Sequence, residues 1–203
     1  MTNTQSKTTK LAKMAMLVAI SIVLVALIRF PIFPAVAFLE YDPADIPILI
    51  GTFAFGPLAG ILLTVVTSVL QGLTVSSASG AYGIIMHIIA TCTLVVVAGL
   101  IYRKEKTKKH AIVGLLCGTV AMAVVMAAAN MVITPLFMGV PAAAVWDLMP
   151  FIVAFNLVKA GVNSLVTFLL YKRISPFLHK QKEKPAKGRR KVYGNKEDDY
   201  NRK

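Results

Sequence analysis

Long apolar runs separated by short polar or proline-rich stretches organise this chain from residue 11 to residue 171. A helix that crosses a bilayer needs about 20 mostly apolar residues. Residues 11–28 meet that need and stop at Arg29-Phe30-Pro31. Residues 30–44 read as a loop carrying Pro31, Pro34 and Pro43, and residues 45–73 are apolar but interrupted by Phe55-Gly56-Pro57. Residues 80–102 form a further span, followed by the polar loop 103–110. Residues 111–134 make another span, which Pro135 closes. Residues 138–147 read as a loop holding Trp146, a residue favoured at the membrane interface, and residues 150–171 as the last span. Lysines followed by an apolar run begin the chain, as in a signal peptide. The run is too long and no small-residue cleavage site follows, so it reads as the first membrane helix.

Residues 45–73 decide the topology. They form either one long helix or two short ones joined at Gly56-Pro57, since proline lacks a backbone donor and disfavours helix before it. Of the 22 Lys and Arg residues, Lys7, Lys10 and Lys13 lie at the first span, five lie in 103–109 and twelve follow Tyr171. With two spans in 45–73 the total is six, and all three basic groups share one face. With one span the N-terminal lysines fall opposite the rest. The positive-inside rule selects six. Glu40, Asp42, Asp45 and Asp147 then lie in the outer loops, which hold no Lys.

Composition agrees. The 203 residues are 57% hydrophobic and 15% charged, with a mean hydropathy of +0.71; soluble domains sit near 45–50% apolar and about 25% charged. The expected class is an all-α membrane protein with six transmembrane helices and both termini cytoplasmic. Residues 1–10 would be a cytoplasmic segment, 11–177 the six-helix domain and 178–203 a basic, disordered cytoplasmic tail. The net charge of +13 does not indicate nucleic acid, because the basic residues flank apolar spans and no nucleic-acid fold is legible. Cys92 and Cys117 lie in apolar spans and read as buried small hydrophobes, with no disulfide and no metal spacing.

Ionisable groups inside spans are costly and usually functional. Lys159 stands near the middle of the last span, with Asn156 three residues before and Asn163 four after, all on one helical face. Asn130, His87 and Gln71 lie toward the outer ends of their spans. Together with the acidic 30–45 loop and the Ser-rich 74–81 loop they outline an outward-opening pocket. His87 reads more simply as a helix-linking residue, and each Asn serves equally well for helix association. No carboxylate is legible in a span core to pair with Lys159, so ligand acceptors, amides or water are expected to satisfy it. Ala12, Ala15, Ala19 and Ala26 form a small-residue stripe on the first helix, and Gly114 and Gly118 do so on the fifth; either packing within the bundle or docking of another membrane protein explains such stripes.

No Walker-type loop, His-Glu-x-x-His or Gly-x-Ser-x-Gly is present. Asp42 and Asp45 form Asp-x-x-Asp, a spacing some metal-dependent membrane enzymes use, but Asp45 reads as a helix N-cap with Pro47 just inside. The chain is read as a non-enzyme that cannot use ATP by itself.

At residues 38–51, Phe-Leu-Glu-Tyr-Asp-Pro-Ala-Asp-Ile-Pro-Ile-Leu-Ile-Gly, followed by Phe-Ala-Phe-Gly-Pro at 53–57, the chain resembles the riboflavin-specific S component of energy-coupling factor (ECF) transporters. The similarity runs from about residue 12 to about residue 177. It includes Ala15 and Ala19 on the first helix, Asn130 on the fifth and Asn156-x-x-Lys159 on the last. The resemblance implies a six-helix subunit of the cell membrane that binds riboflavin from outside as substrate, with no cofactor. It also implies docking, through the Ala15/Ala19 face, on a transmembrane coupling subunit with two cytosolic ATPases, and transport by tipping in the membrane. By motif position the pocket would include Leu39, Glu40, Tyr41, Asp42, Gly80, Gly83, Asn130, Asn156 and Lys159. A flat isoalloxazine ring suits a lipid-embedded cavity. Asn amides, carrying both donor and acceptor, match its pyrimidine-like edge. Lys159 can donate to the ring, and Glu40, Tyr41, Asp42 and Gln71 can meet the ribityl hydroxyls. The alternatives are an S component for another vitamin and a stand-alone secondary carrier, against which the lack of a membrane-embedded carboxylate weighs.

Overall fold

The computed structural model describes residues 3–179; the tail beyond them lies outside the described residues. Seven helices follow one another: α1 (Asn3–Leu27), α2 (Asp45–Phe55), α3 (Pro57–Leu73), α4 (Gly80–Lys104), α5 (Lys108–Met138), α6 (Ala142–Asp147) and α7 (Met149–His179). Between α1 and α2 the chain makes two short antiparallel strands, β1 (Phe30–Pro31) and β2 (Glu40–Tyr41), with Phe30 opposite Tyr41. A 3-10 turn, Ser77–Ser79, leads into α4.

Among the described residues four helices, α1, α4, α5 and α7, are long and apolar enough to cross a membrane. The 45–73 segment is two helices, as its Gly-Pro step predicts. Gly56 takes φ 97°, a conformation open to glycine, and Pro57 starts α3. With 11 and 17 residues, α2 and α3 are about 16 and 25 Å long, short of the ~30 Å hydrocarbon core. The α2 helix is nearly all buried and packs against α1, α3, α4 and α7. Leu62, Leu116, Val124, Leu136 and Leu165 point outward and are exposed, which is acceptable where the solvent is lipid. Hydroxyls within the helices bond to their own backbone, as Thr52 does to Ile48, Thr64 to Gly60 and Thr167 to Asn163.

Two expected boundaries move. Pro135 does not end its helix: α5 runs through it to Met138 and is capped at Gly139. Pro135 supplies no N–H to the Met131 carbonyl, so one bond is lost while the helix continues for about one more turn. The 138–147 loop holds the short helix α6. In addition, α7 continues to His179, and α1 begins at Asn3, so residues 3–10 are continuous with the first span.

The small-residue stripes divide. Ala12, Ala15, Ala19 and Ala26 are exposed, while Met14, Leu17, Val18, Ser21 and Val25 face the bundle. Gly114 and Gly118 instead bring α5 against α4: a Cβ on Gly114 would lie 2.9 Å from the Ala98 carbonyl oxygen. Gly114→Ala therefore forces the two backbones apart and should cost about 1–3 kcal/mol. Gly161→Ala, with nothing within 4 Å of the added carbon, should leave stability unchanged or raise it. Thermal unfolding in detergent, followed by size-exclusion chromatography, checks the contrast.

Candidate ligand-binding site

The 28–44 loop folds inward rather than lying over the bundle. Asp42 is buried, and one of its carboxylate oxygens lies 2.7 Å from the Lys159 ammonium of α7. The other accepts the Ala44 backbone N–H at 3.1 Å. Burial alone would raise the Asp42 carboxyl; the adjacent Lys159 charge outweighs it and holds the carboxyl below its ordinary value. The expectation that Lys159 has no carboxylate partner is thus corrected. Its counter-charge comes from a loop residue 117 positions away, which no spacing along a single helix reveals.

Asn163, one turn beyond Lys159, ties this arrangement together. Its amide nitrogen donates to the Asp42 carbonyl at 3.1 Å and to the Asp45 carboxylate at 3.0 Å, while its amide oxygen accepts the Tyr41 hydroxyl at 3.0 Å. Asp45 also accepts from Thr91 of α4 at 2.6 Å. The N-cap reading of Asp45 is corrected as well: Ala44 holds the cap position with no side-chain bond, and the fully buried Asp45 carboxylate bonds to α4 and α7 instead. Both carboxylates of the Asp-x-x-Asp pair are thereby engaged by protein donors. Their burial also removes the objection that no carboxylate lies within the bundle.

A cavity of about 100 Å³ opens beside Lys159. Its walls come from the loop (Leu39, Glu40, Asp42), α3 (Ser68, Gln71), α4 (Tyr82, Gly83, Met86, His87), α5 (Met122, Met126) and α7 (Phe155, Asn156, Lys159). Arg29, Phe38, Glu40, Ser79 and Tyr82 also line a second chamber of about 220 Å³. Each is smaller than the ~300–1,000 Å³ typical of small-molecule sites, and the two share these lining residues. Arg29, which lines both spaces, forms an ion pair with Glu40 at 3.0 Å and donates to the Val75 carbonyl and, at 2.9 Å, to the Ser76 hydroxyl. It straps the first loop to the 74–79 loop.

Seven of the sequence-derived positions line the cavity: Leu39, Glu40, Asp42, Gln71, Gly83, Asn156 and Lys159. Tyr41, Gly80 and Asn130 do not. Tyr41 serves Asn163 from behind the wall. Asn130 is fully buried; its amide donates to Met126 at 2.8 Å and accepts from Thr134, which also meets the Tyr82 hydroxyl. Gly80 opens α4. Two further residues line the cavity: Arg29, which the sequence does not propose, and His87, which it reads more simply as a helix-linking residue. Arg29 carried a signal: it is the one basic residue at the outer end of a span, with Glu40 in the loop that follows.

Replacing Lys159 alone strands the buried Asp42 carboxylate, a loss of about 3–5 kcal/mol. Ligand-free Lys159→Met should melt well below the wild type, and the Asp42→Asn/Lys159→Met double variant should recover most of the difference. Equal melting of single and double variants would contradict the pairing.

The family model for the substrate-specific component of ECF transporters matches residues 9–171. The riboflavin transporter RibU of Staphylococcus aureus (strain TCH60) is 33% identical over 176 residues, covering 83% of this chain and 92% of the relative. The riboflavin transporter FmnP of Bacillus subtilis (strain 168) is 32% identical over 186 residues, covering 87% and 97%. A solved S component of a bacterial ECF transporter superposes with a TM-score of 0.74 at 32% identity, covering 85% of this chain and 98% of that one. With a match that runs from α1 into α7, this integral membrane protein belongs to the ECF transporter substrate-specific components, which are transport subunits and not enzymes.

Proposed function

We propose that this protein captures riboflavin at the outer face of the cell membrane and passes it inward, driven by ATP, when docked on an ECF coupling subunit and its two ATPases. The observation that carries the reading is the Lys159 ammonium at the wall of a cavity that also bears Asn156, Gln71 and apolar Met122, Met126 and Phe155. Relatives at 32–33% identity are riboflavin transporters. The flat ring would lie against the apolar wall. Lys159 would donate to a ring carbonyl or nitrogen, and the Asn156 amide offers a donor and an acceptor to the ring edge. Leu39, Glu40, Asp42, Gln71 and Gly83 complete the ligand shell, and Tyr41, Gly80 and Asn130 support it from behind.

Six membrane-embedded helices, α1 to α5 and α7, with both termini inside, agree with the basic residues gathered at one face. The exposed Ala15 and Ala19 offer a flat face for the coupling subunit. Uptake by the protein alone in gradient-loaded vesicles would instead mark a stand-alone carrier.

Quenching of riboflavin fluorescence by the purified protein tests the reading. Saturable quenching without competition from thiamine or biotin is expected, and its absence in the wild type would reject it. Lys159→Ala removes a charge-assisted hydrogen bond of about 1.5–3 kcal/mol and should weaken binding roughly ten- to a hundredfold.

A further inference from the structure

The α3–α4 side of the cavity carries two polar atoms with unmet bonding capacity. Gln71 Oε1 and His87 Nε2 are both buried and have no hydrogen-bond partner. Gln71 already belongs to the proposed ligand shell; His87 does not.

The bonding around His87 fixes which form of the ring is present. The Ser68 hydroxyl has a single proton, and it donates that proton to the Thr64 carbonyl at 2.7 Å. Ser68 Oγ also lies 2.7 Å from His87 Nδ1. With the serine proton committed, Nδ1 must supply the other one. In the neutral ring, Nε2 then holds a lone pair and is an acceptor. The charged groups acting on His87 are Asp45 of α2, Asp42 of the first loop and Lys159 of α7; Arg29, Glu40 and Tyr82 line the same cavity. Asp45 Oδ1 lies 3.7 Å from Nε2. That oxygen lies beyond hydrogen-bond range, is itself an acceptor, and already takes the Thr91 hydroxyl at 2.6 Å. Lys159 donates one of its three protons to Asp42 at 2.7 Å and makes no hydrogen bond to Nε2. The His87 ring nevertheless lines the cavity.

We infer that His87 is a further ligand-binding residue, presenting Nε2 as an acceptor to a hydrogen-bond donor of the substrate, with Ser68 fixing the ring's tautomer. This rests on the riboflavin reading and extends it. Riboflavin carries two kinds of donor, the ring imide N–H and the ribityl hydroxyls. The walls are then complementary: α3 and α4 accept through Gln71 and His87, and α7 donates through Lys159. An acceptor left empty inside a bundle is costly, so the donor that fills it gains accordingly.

The test compares His87→Asn with His87→Gln in detergent. Asn keeps an amide N–H near Ser68 but deletes Nε2; Gln places an amide oxygen near the lost nitrogen. His87→Asn should weaken riboflavin binding about tenfold with ligand-free melting unchanged, and His87→Gln should recover most of that loss. Lumiflavin, which lacks the ribityl hydroxyls, identifies the donor. A loss that persists with it assigns the imide N–H, and one that vanishes assigns a hydroxyl; both uphold His87 as acceptor. If the wild type binds riboflavin and His87→Asn binds it equally well, the inference falls and vitamin capture stands. If the wild type binds no riboflavin, both fall. A check without variants is the 15N spectrum of the wild-type imidazole. Nε2 should be unprotonated in the free protein and shift on adding riboflavin. A proton on Nε2 in the free protein, or no shift on binding, overturns the assignment.

Discussion

The site depends on the 2.7 Å pair between Asp42 and Lys159. An ammonium buried among helices cannot be held there without an anionic partner, because desolvation of a lone charge exceeds what packing returns. The partner is not on a neighbouring helix. It is delivered by a loop that dips into the bundle, so the cation and the fold of that loop are specified together. Asn163 completes the joint by holding the Asp42 carbonyl, the Asp45 carboxylate and the Tyr41 hydroxyl at once. Loop, α2 and α7 thus converge on a few polar atoms, all shielded from lipid.

Around that joint the polar groups are sorted by role. Donors stand on α7, open acceptors on α3 and α4, and sulfur-bearing and aromatic side chains supply the apolar surface between them. Arg29 bridges two loops at the cavity wall. The arrangement suits a flat molecule with an apolar body and a polar edge.

Much of this was legible along the chain and some was not. Runs of about 20 apolar residues marked the long spans, and Gly56-Pro57 marked the break between α2 and α3 because a proline after glycine has a local, sequence-visible effect. Pro135 misled for the same reason, since its effect depends on where in the helix it falls. Lys159 and Asn156 announced themselves as polar groups in apolar surroundings. Their partners did not. Asp42 reads as an outer-loop carboxylate until the loop is seen to fold inward, and the pairing spans 117 residues. Asn130 reads as a pocket amide, yet its hydrogen bonds close on Met126 and Thr134. His87 reads as packing because the serine that fixes its tautomer lies on another helix.

The most direct measurement is a crystal structure of the protein with riboflavin bound. The expected result places the isoalloxazine ring in the cavity beside Lys159, with the Lys159 ammonium within hydrogen-bond distance of a ring atom and the first loop still anchored to Asn163. A ring seated elsewhere, with Lys159 bonded to Asp42 alone, would contradict the account.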